Sequence, residues 1–146
     1  MFSTAHLASG LIIGKITGDY TTAIIASLII DIDHFVPLYK QGIFTKWKTF
    51  KHVVLSSNNP QGSARTYLHN VFVFLGISII SYLINPVIGT VVAISYFFHL
   101  VLDCLDDEDL YILYPSKKIN IKGPFGYFSY IELAFTVVLF GIYYII

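Results

Sequence analysis

Apolar residues fall into five stretches separated by polar punctuation, and each stretch predicts a helix. The first runs from about Ser3 to Ile16, opens on a candidate N-cap at Ser3 or Thr4, and ends at Lys15, Gly18 and Asp19. The second runs from Tyr20 to about Val36 and stops at Pro37. A polar loop from Leu38 to Ser63 follows, with Ser56, Ser57, Asn58, Asn59, Pro60 and Gly62 as loop formers. The third stretch, Ala64 to Ile84, turns at Asn85-Pro86 into the fourth, which continues to about Leu105. A loop rich in acidic residues and tyrosine carries Asp106, Asp107, Glu108, Asp109, Tyr111 and Tyr114-Pro115, then Lys117, Lys118, Lys122 and Gly123-Pro124. The fifth stretch, Tyr127 to Ile146, is apolar apart from Glu132 near its start. With no internal repeat or low-complexity linker, residues 1–146 read as one helical domain.

The third and fourth stretches are long enough to span a bilayer; the first is too short to do so alone. Its Ala5, Ala8, Ser9, Gly10 and Gly14 allow close backbone approach, which predicts a helix packed inside a bundle. In the loop, Phe44, Trp47 and Phe50 alternate with Lys46, Lys48 and Lys51, a pattern equally suited to a headgroup-level segment and to an ordinary basic loop.

Composition moves this bundle into the membrane. The chain is 55% hydrophobic and 12% charged, against roughly 25% charged residues in a soluble domain, and its mean hydropathy is +0.70. The expectation is an all-α integral membrane bundle of about five helices with the lipid bilayer as its outer solvent. A net charge of zero supplies no dominant basic surface for nucleic acid. The single cysteine, Cys104, cannot form an internal disulfide and reads as inert. The opening MFSTAHLASGLIIGK has no basic stretch before its apolar run, so cleavage as a secretory signal is not expected.

Alternating helix direction gathers the polar ends. His6 starts the first helix, Asp31, Asp33 and His34 end the second, Arg65 and His69 start the third, His99 and Asp103 end the fourth, and Glu132 starts the fifth. All reach one end of the bundle. His99 and Asp103 are four apart and Asp31 and His34 three apart, so each pair shares a helix side. Asp31 and Asp33 cannot both point the same way on a regular helix, so one of them supports the other's site or the helix end is distorted. Imidazole and carboxylate together are ligands for zinc, manganese or ferrous iron, and a carboxylate-bridged pair of ions suits this many donors. Each histidine alone would read as a core residue; their convergence inside membrane segments favours function.

Arg65, one turn before His69, reads as a binder of an anionic oxygen. Glu132 reads as a late ligand, a general base, or the partner of a loop lysine. His52 has no partner at ligand spacing and reads as solvated. Asp106 to Asp109 read first as a solvated face or a balance for Lys117, Lys118 and Lys122, and second as a reach toward another ion.

The elements T-A-H-L-A-S-G around His6, Asp31-Ile-Asp33-His34, Arg65-x-x-x-His69, and His99-x-x-x-Asp103 followed by Tyr114-Pro115 resemble the YdjM-like family of membrane-bound metal-dependent hydrolases. That family is distantly similar to zinc-dependent phospholipase C and the single-strand-specific zinc nucleases, which are all-helical. The resemblance spans about residues 4–115 and implies His6, Asp33, His69, His99 and Asp103 as metal ligands, with Asp31 and His34 as ligands or their support. The chain departs from the family pattern at Ile30, where a proline is usual. It departs again at Ala64 to Asn70, where a His-Arg-Gly-x-Thr-His-Ser element is usual, and after Asp103, where threonine and glycine give way to Cys104 to Asp109.

Three functions follow as expectations. The first is a membrane-bound hydrolase that uses one or two divalent metals, zinc foremost, against a phosphoester of a lipid or membrane-associated substrate. The second is a divalent metal transporter or sensor, which would need polar groups continuing through the membrane. The third is a catalytically inactive structural or partner-binding membrane protein. Lys40, Lys46, Lys48, Lys51, Arg65, Lys117, Lys118 and Lys122 lie on the site side and only Lys15 opposite, which predicts a cytoplasmic site.

Overall fold

The computed structural model describes residues 1, 3–34, 36, 39, 65, 67–126 and 129–146. Among them are five α-helices: α1 (Ser3–Thr17), α2 (Tyr20–Leu28), α3 (Val71–Ile84), α4 (Pro86–Cys104) and α5 (Tyr130–Ile145). A 3-10 segment, Ile29–His34, continues α2. Apart from Tyr39, the loop from Leu38 to Ser63, with its aromatic and lysine pattern and His52, lies outside the described residues.

Helix α1 is the hub, packing on α2, α4 and α5. Its buried face is Ala5, His6, Ala8, Ser9, Gly10, Ile13 and Gly14, so small residues bring neighbouring backbones close. Gly18, at φ 78, ends α1 in the left-handed region that glycine adopts without penalty. Asp19 then caps α2 by accepting from the Thr22 amide at 3.0 Å. Helices α3 and α4 form a second hairpin through Asn85, whose side chain accepts from the amides of Val87 and Ile88. At Gly89 a Cβ would lie 2.3 Å from the Tyr82 backbone, so only glycine fits this crossing. Both hairpin turns lie at the end opposite the histidines.

Three of the five predicted stretches form shorter helices than expected. The third begins at Val71, because the Asn70 side chain accepts from the amides of Phe72 and Val73 and fixes the N-cap there. The second leaves α geometry at Ile29. The fifth starts at Tyr130, with the Ser129 hydroxyl accepting from the Glu132 amide. As a result α4 is, among the described residues, the one helix long and apolar enough to cross a bilayer. Helices α3 and α5, of 14 and 16 residues, are apolar but shorter.

Small clusters form the core: Ile13, Ala23 and Val91 toward the hairpin turns, and Ile30, Tyr96 and Leu100 nearer the polar end. Outer faces stay apolar and exposed, as at Leu83, Ile84, Val87 and Ile145. After α4 the chain folds back on itself through isolated bridges, Asp106 with Phe125 and Leu110 with Ile121. This fold-back carries Asp106 inward, and the Val71 amide donates to the Ile112 carbonyl at 2.9 Å, tying it to the start of α3.

Candidate metal centre

The 3-10 geometry of Ile29–His34 separates the two aspartates that follow α2. Tighter winding lets Asp31 and His34, three apart, share a side, with His34 Nε2 3.4 Å from Asp31 Oδ1. Asp33 turns inward, where its carboxylate lies 3.1 Å from His69 Nδ1 and accepts from the Leu68 amide at 3.1 Å.

That contact orients the imidazole. With Asp33 at Nδ1, His69 donates there and turns the lone pair of Nε2 toward the cluster. His99 is set the same way, its Nδ1 2.7 Å from the Ser27 carbonyl. The two Nε2 atoms then face each other at 3.1 Å, and Asp103 Oδ2 lies 3.0 Å from His69 Nε2 and 3.3 Å from His99 Nε2. Asp31 Oδ1 stands 3.8 Å from His69 Nε2 and 3.6 Å from His99 Nε2. The His6 ring stacks on His99 with centroids 3.9 Å apart and has its Nε2 3.4 Å from Asp103 Oδ1. Neither His6 nitrogen makes a well-formed hydrogen bond, although the residue is fully buried.

Lone pairs and carboxylate oxygens packed this closely repel one another unless a proton or a metal cation lies among them. Three groups of side chains bring one ligand atom each to within 4.8 Å of one another: His6, Asp31 and His99; Asp31, His34 and His69; and His69, His99 and Asp103. Asp31, His69 and His99 each belong to two of these groups, so they can be shared between neighbouring ions. The donor set, imidazole nitrogen with carboxylate oxygen, fits a divalent transition metal. A proton can play that part at His69: burial opposes its charged form, yet Asp103 and Asp33 outweigh burial and raise its pKa to about 9, and a metal would bind there in competition with that proton.

A family model for the YdjM inner membrane protein matches residues 1–146. The chain belongs to the YdjM inner membrane protein family. No curated protein and no solved structure gives a significant match.

The YdjM match covers every residue singled out in the sequence, but the structure gives them different surroundings. Asp31 belongs to the candidate metal groups, whereas Asp33, which the resemblance implies as a ligand, supports His69. Arg65 precedes α3 outside any helix and is almost fully buried, with its Nη2 3.1 Å from Asp103 Oδ1 and 2.5 Å from Asp106 Oδ2. The Met1 ammonium joins them at 2.7 Å from each of the same two oxygens. Asp103 is thereby polarised: Oδ1 faces cationic groups and Oδ2 faces the two imidazoles.

Asp106 is 1% exposed and its burial overturns its reading as part of a solvated face. Burial alone would raise its pKa, but the Met1 ammonium and Arg65 hold it below the usual value. Asp109 does balance a loop lysine, Lys122, at 2.8 Å. Glu132 is buried at the start of α5 and belongs to none of the three metal groups. Sequence reasoning missed Ser27, because a backbone carbonyl acceptor leaves no trace in residue type. It also missed the Tyr96 hydroxyl, which donates to the Leu68 carbonyl and steadies the segment before His69.

Proposed function

We propose that this protein is a membrane-bound, divalent-metal-dependent hydrolase acting on a phosphoester of a membrane-associated substrate. The observation that carries this reading is the pair of imidazoles whose Nδ1 atoms are engaged by Asp33 and the Ser27 carbonyl, leaving both Nε2 atoms to converge with Asp103 and Asp31. His6, Asp31, His34, His69, His99 and Asp103 would hold the metal, zinc foremost, with manganese or ferrous iron suited to the same donors. When bound, one or two such ions supply activation of water and polarisation of a phosphoryl oxygen.

The chain's own residues do the rest. Asp33 and Ser27 fix ring orientation, so ligands meet their ion without reorganising. Arg65 and the Met1 ammonium neutralise Asp103 and Asp106, which makes a buried cluster of carboxylates tolerable. Asp31, with its side chain 16% exposed, and His34 at 28% form the open edge of the cluster. At that edge a substrate oxygen would reach the ion. The described basic residues Arg65, Lys117, Lys118 and Lys122 share the site end and Lys15 lies opposite, which supports a cytoplasmic site.

A transporter would need ionisable groups along a path, and the buried ones among the described residues cluster at one end. The test is phosphate release from phosphomonoester and phosphodiester substrates by detergent-purified protein. Activity is expected to disappear on chelation, to return with zinc or manganese, and to be missing in Asp103→Ala. Full activity in the chelated protein would sink the reading.

A further inference from the structure

An apolar groove of about 310 Å³ runs between α2 and the α3–α4 hairpin. Ile25 and Ile29 form one wall, Ile77 and Tyr96 the other, and Ile30 and Leu68 close it at the site end. Ile30 and Leu68 each directly precede a residue of the metal cluster, Asp31 and His69, so the groove stops where the cluster begins. The cluster's exposed edge, Asp31 and His34, lies on the same 3-10 segment as that end of the groove.

We propose that this groove binds one acyl chain of a phosphoester lipid whose headgroup sits at the metal centre. The headgroup end rests on the hydrolase reading above; the chain end does not. Along α2 and the 3-10 segment the lining runs from Thr21 to Ile30, about 14 Å at helical rise, which is the reach of a substantial part of an acyl chain. The cleft is lined mainly by aliphatic side chains, with hydroxyls at Thr21, Thr22 and Ser81, so it offers water few hydrogen-bond partners, and within a bilayer the material available to fill it is hydrocarbon. The Tyr96 hydroxyl is committed to the Leu68 carbonyl, so the groove's one aromatic wall presents its ring rather than a polar tip. A second groove, of about 320 Å³, lies on the opposite face of α4 among Ile12, Phe98 and Phe135, and provides an internal control.

The test uses full-length protein in phosphatidylcholine nanodiscs containing phosphatidic acid with a diazirine in mid-chain, followed by mapping of the cross-links. Labels are expected on α2 and α3 at Ile25 and Ile77. Filling the groove from either wall, by Ile25→Trp or Ile77→Trp, should lower labelling about tenfold, the equivalent of roughly two buried methylenes. Ile131→Trp, on the exposed face of α5, should not change it. The same two groove variants should raise KM for the long-chain lipid and leave turnover of p-nitrophenyl phosphate unchanged. Labelling spread evenly around the bundle, or concentrated at Phe98 and Phe135, would overturn the proposal. Groove labelling in a wild-type protein without hydrolytic activity would support the lipid site and overturn the hydrolase reading alone.

Discussion

The two ends of the bundle solve opposite problems. At the hairpin end, the chain turns through Gly18 and Asn85 with side-chain caps, and the charge of Lys15 stays exposed, donating to the Tyr143 carbonyl at 2.9 Å. At the other end, His6, Asp33, Arg65, His69, His99, Asp103 and Asp106 are each nearly or fully buried. Burial of so many ionisable groups costs free energy that apolar packing would not. Helices α3 and α5 have few buried side chains and leave their apolar faces to the surroundings. The contrast teaches that, among the described residues, the fold gathers its buried ionisable groups at one end, where Arg65 and the Met1 ammonium offset part of the carboxylate charge.

Removal of Asp103 breaks this contrast most severely. Asp103→Ala leaves Arg65, the Met1 ammonium and three imidazoles without their shared acceptor, and is expected to cost about 3–5 kcal/mol of stability and to abolish stoichiometric metal. Thermal unfolding with and without added zinc measures both effects. Asp33→Asn leaves the candidate ligands in place but weakens the orientation of His69. It should lower metal affinity about 10–100-fold, read by competition with a chelator, with little change in the melting temperature of the metal-free protein.

Asp106→Asn tests the cationic side of the cluster. Because the folded-state pKa of Asp106 is depressed, its contribution to stability is present above the unfolded carboxyl value near 3.9 and is lost as pH falls through the folded value. The variant should therefore lose about 1–3 kcal/mol at neutral pH, and the gap to wild type should narrow below about pH 4. A gap independent of pH would remove the charge pairing from the account. Lys122→Ala, at the solvated pair with Asp109, should leave the melting temperature unchanged, and a clear loss there would show that the loop's surface charges matter as much as its buried ones.

Much of the chain's layout was readable beforehand because its punctuation is local. Asn85-Pro86 marks a helix start by chemistry that needs no tertiary partner, and the small residues of α1 announce close packing. The end of α2 was less legible: IIDIDH fits helical periodicity, and the 3-10 winding goes with contacts from Asp33 to His69 and the Leu68 amide, which lie outside the segment. The distortion itself was foreseeable as one of two alternatives, since Asp31 and Asp33 could not share a direction. The start of α3 was misjudged because Ala64 to Leu68 are compatible with helix, although Asn70 carried a capping signal. Arg65 with Asp106 was invisible, as the pair joins residues 41 apart that only the fold-back after α4 brings together.

Metal content of the detergent-purified protein, wild type beside His99→Ala and Asp103→Ala, tests the central claim most directly. Under metal-replete conditions the account expects stoichiometric divalent metal in the wild type and its loss in both variants. A wild type without metal, or variants that retain the full complement, would contradict it.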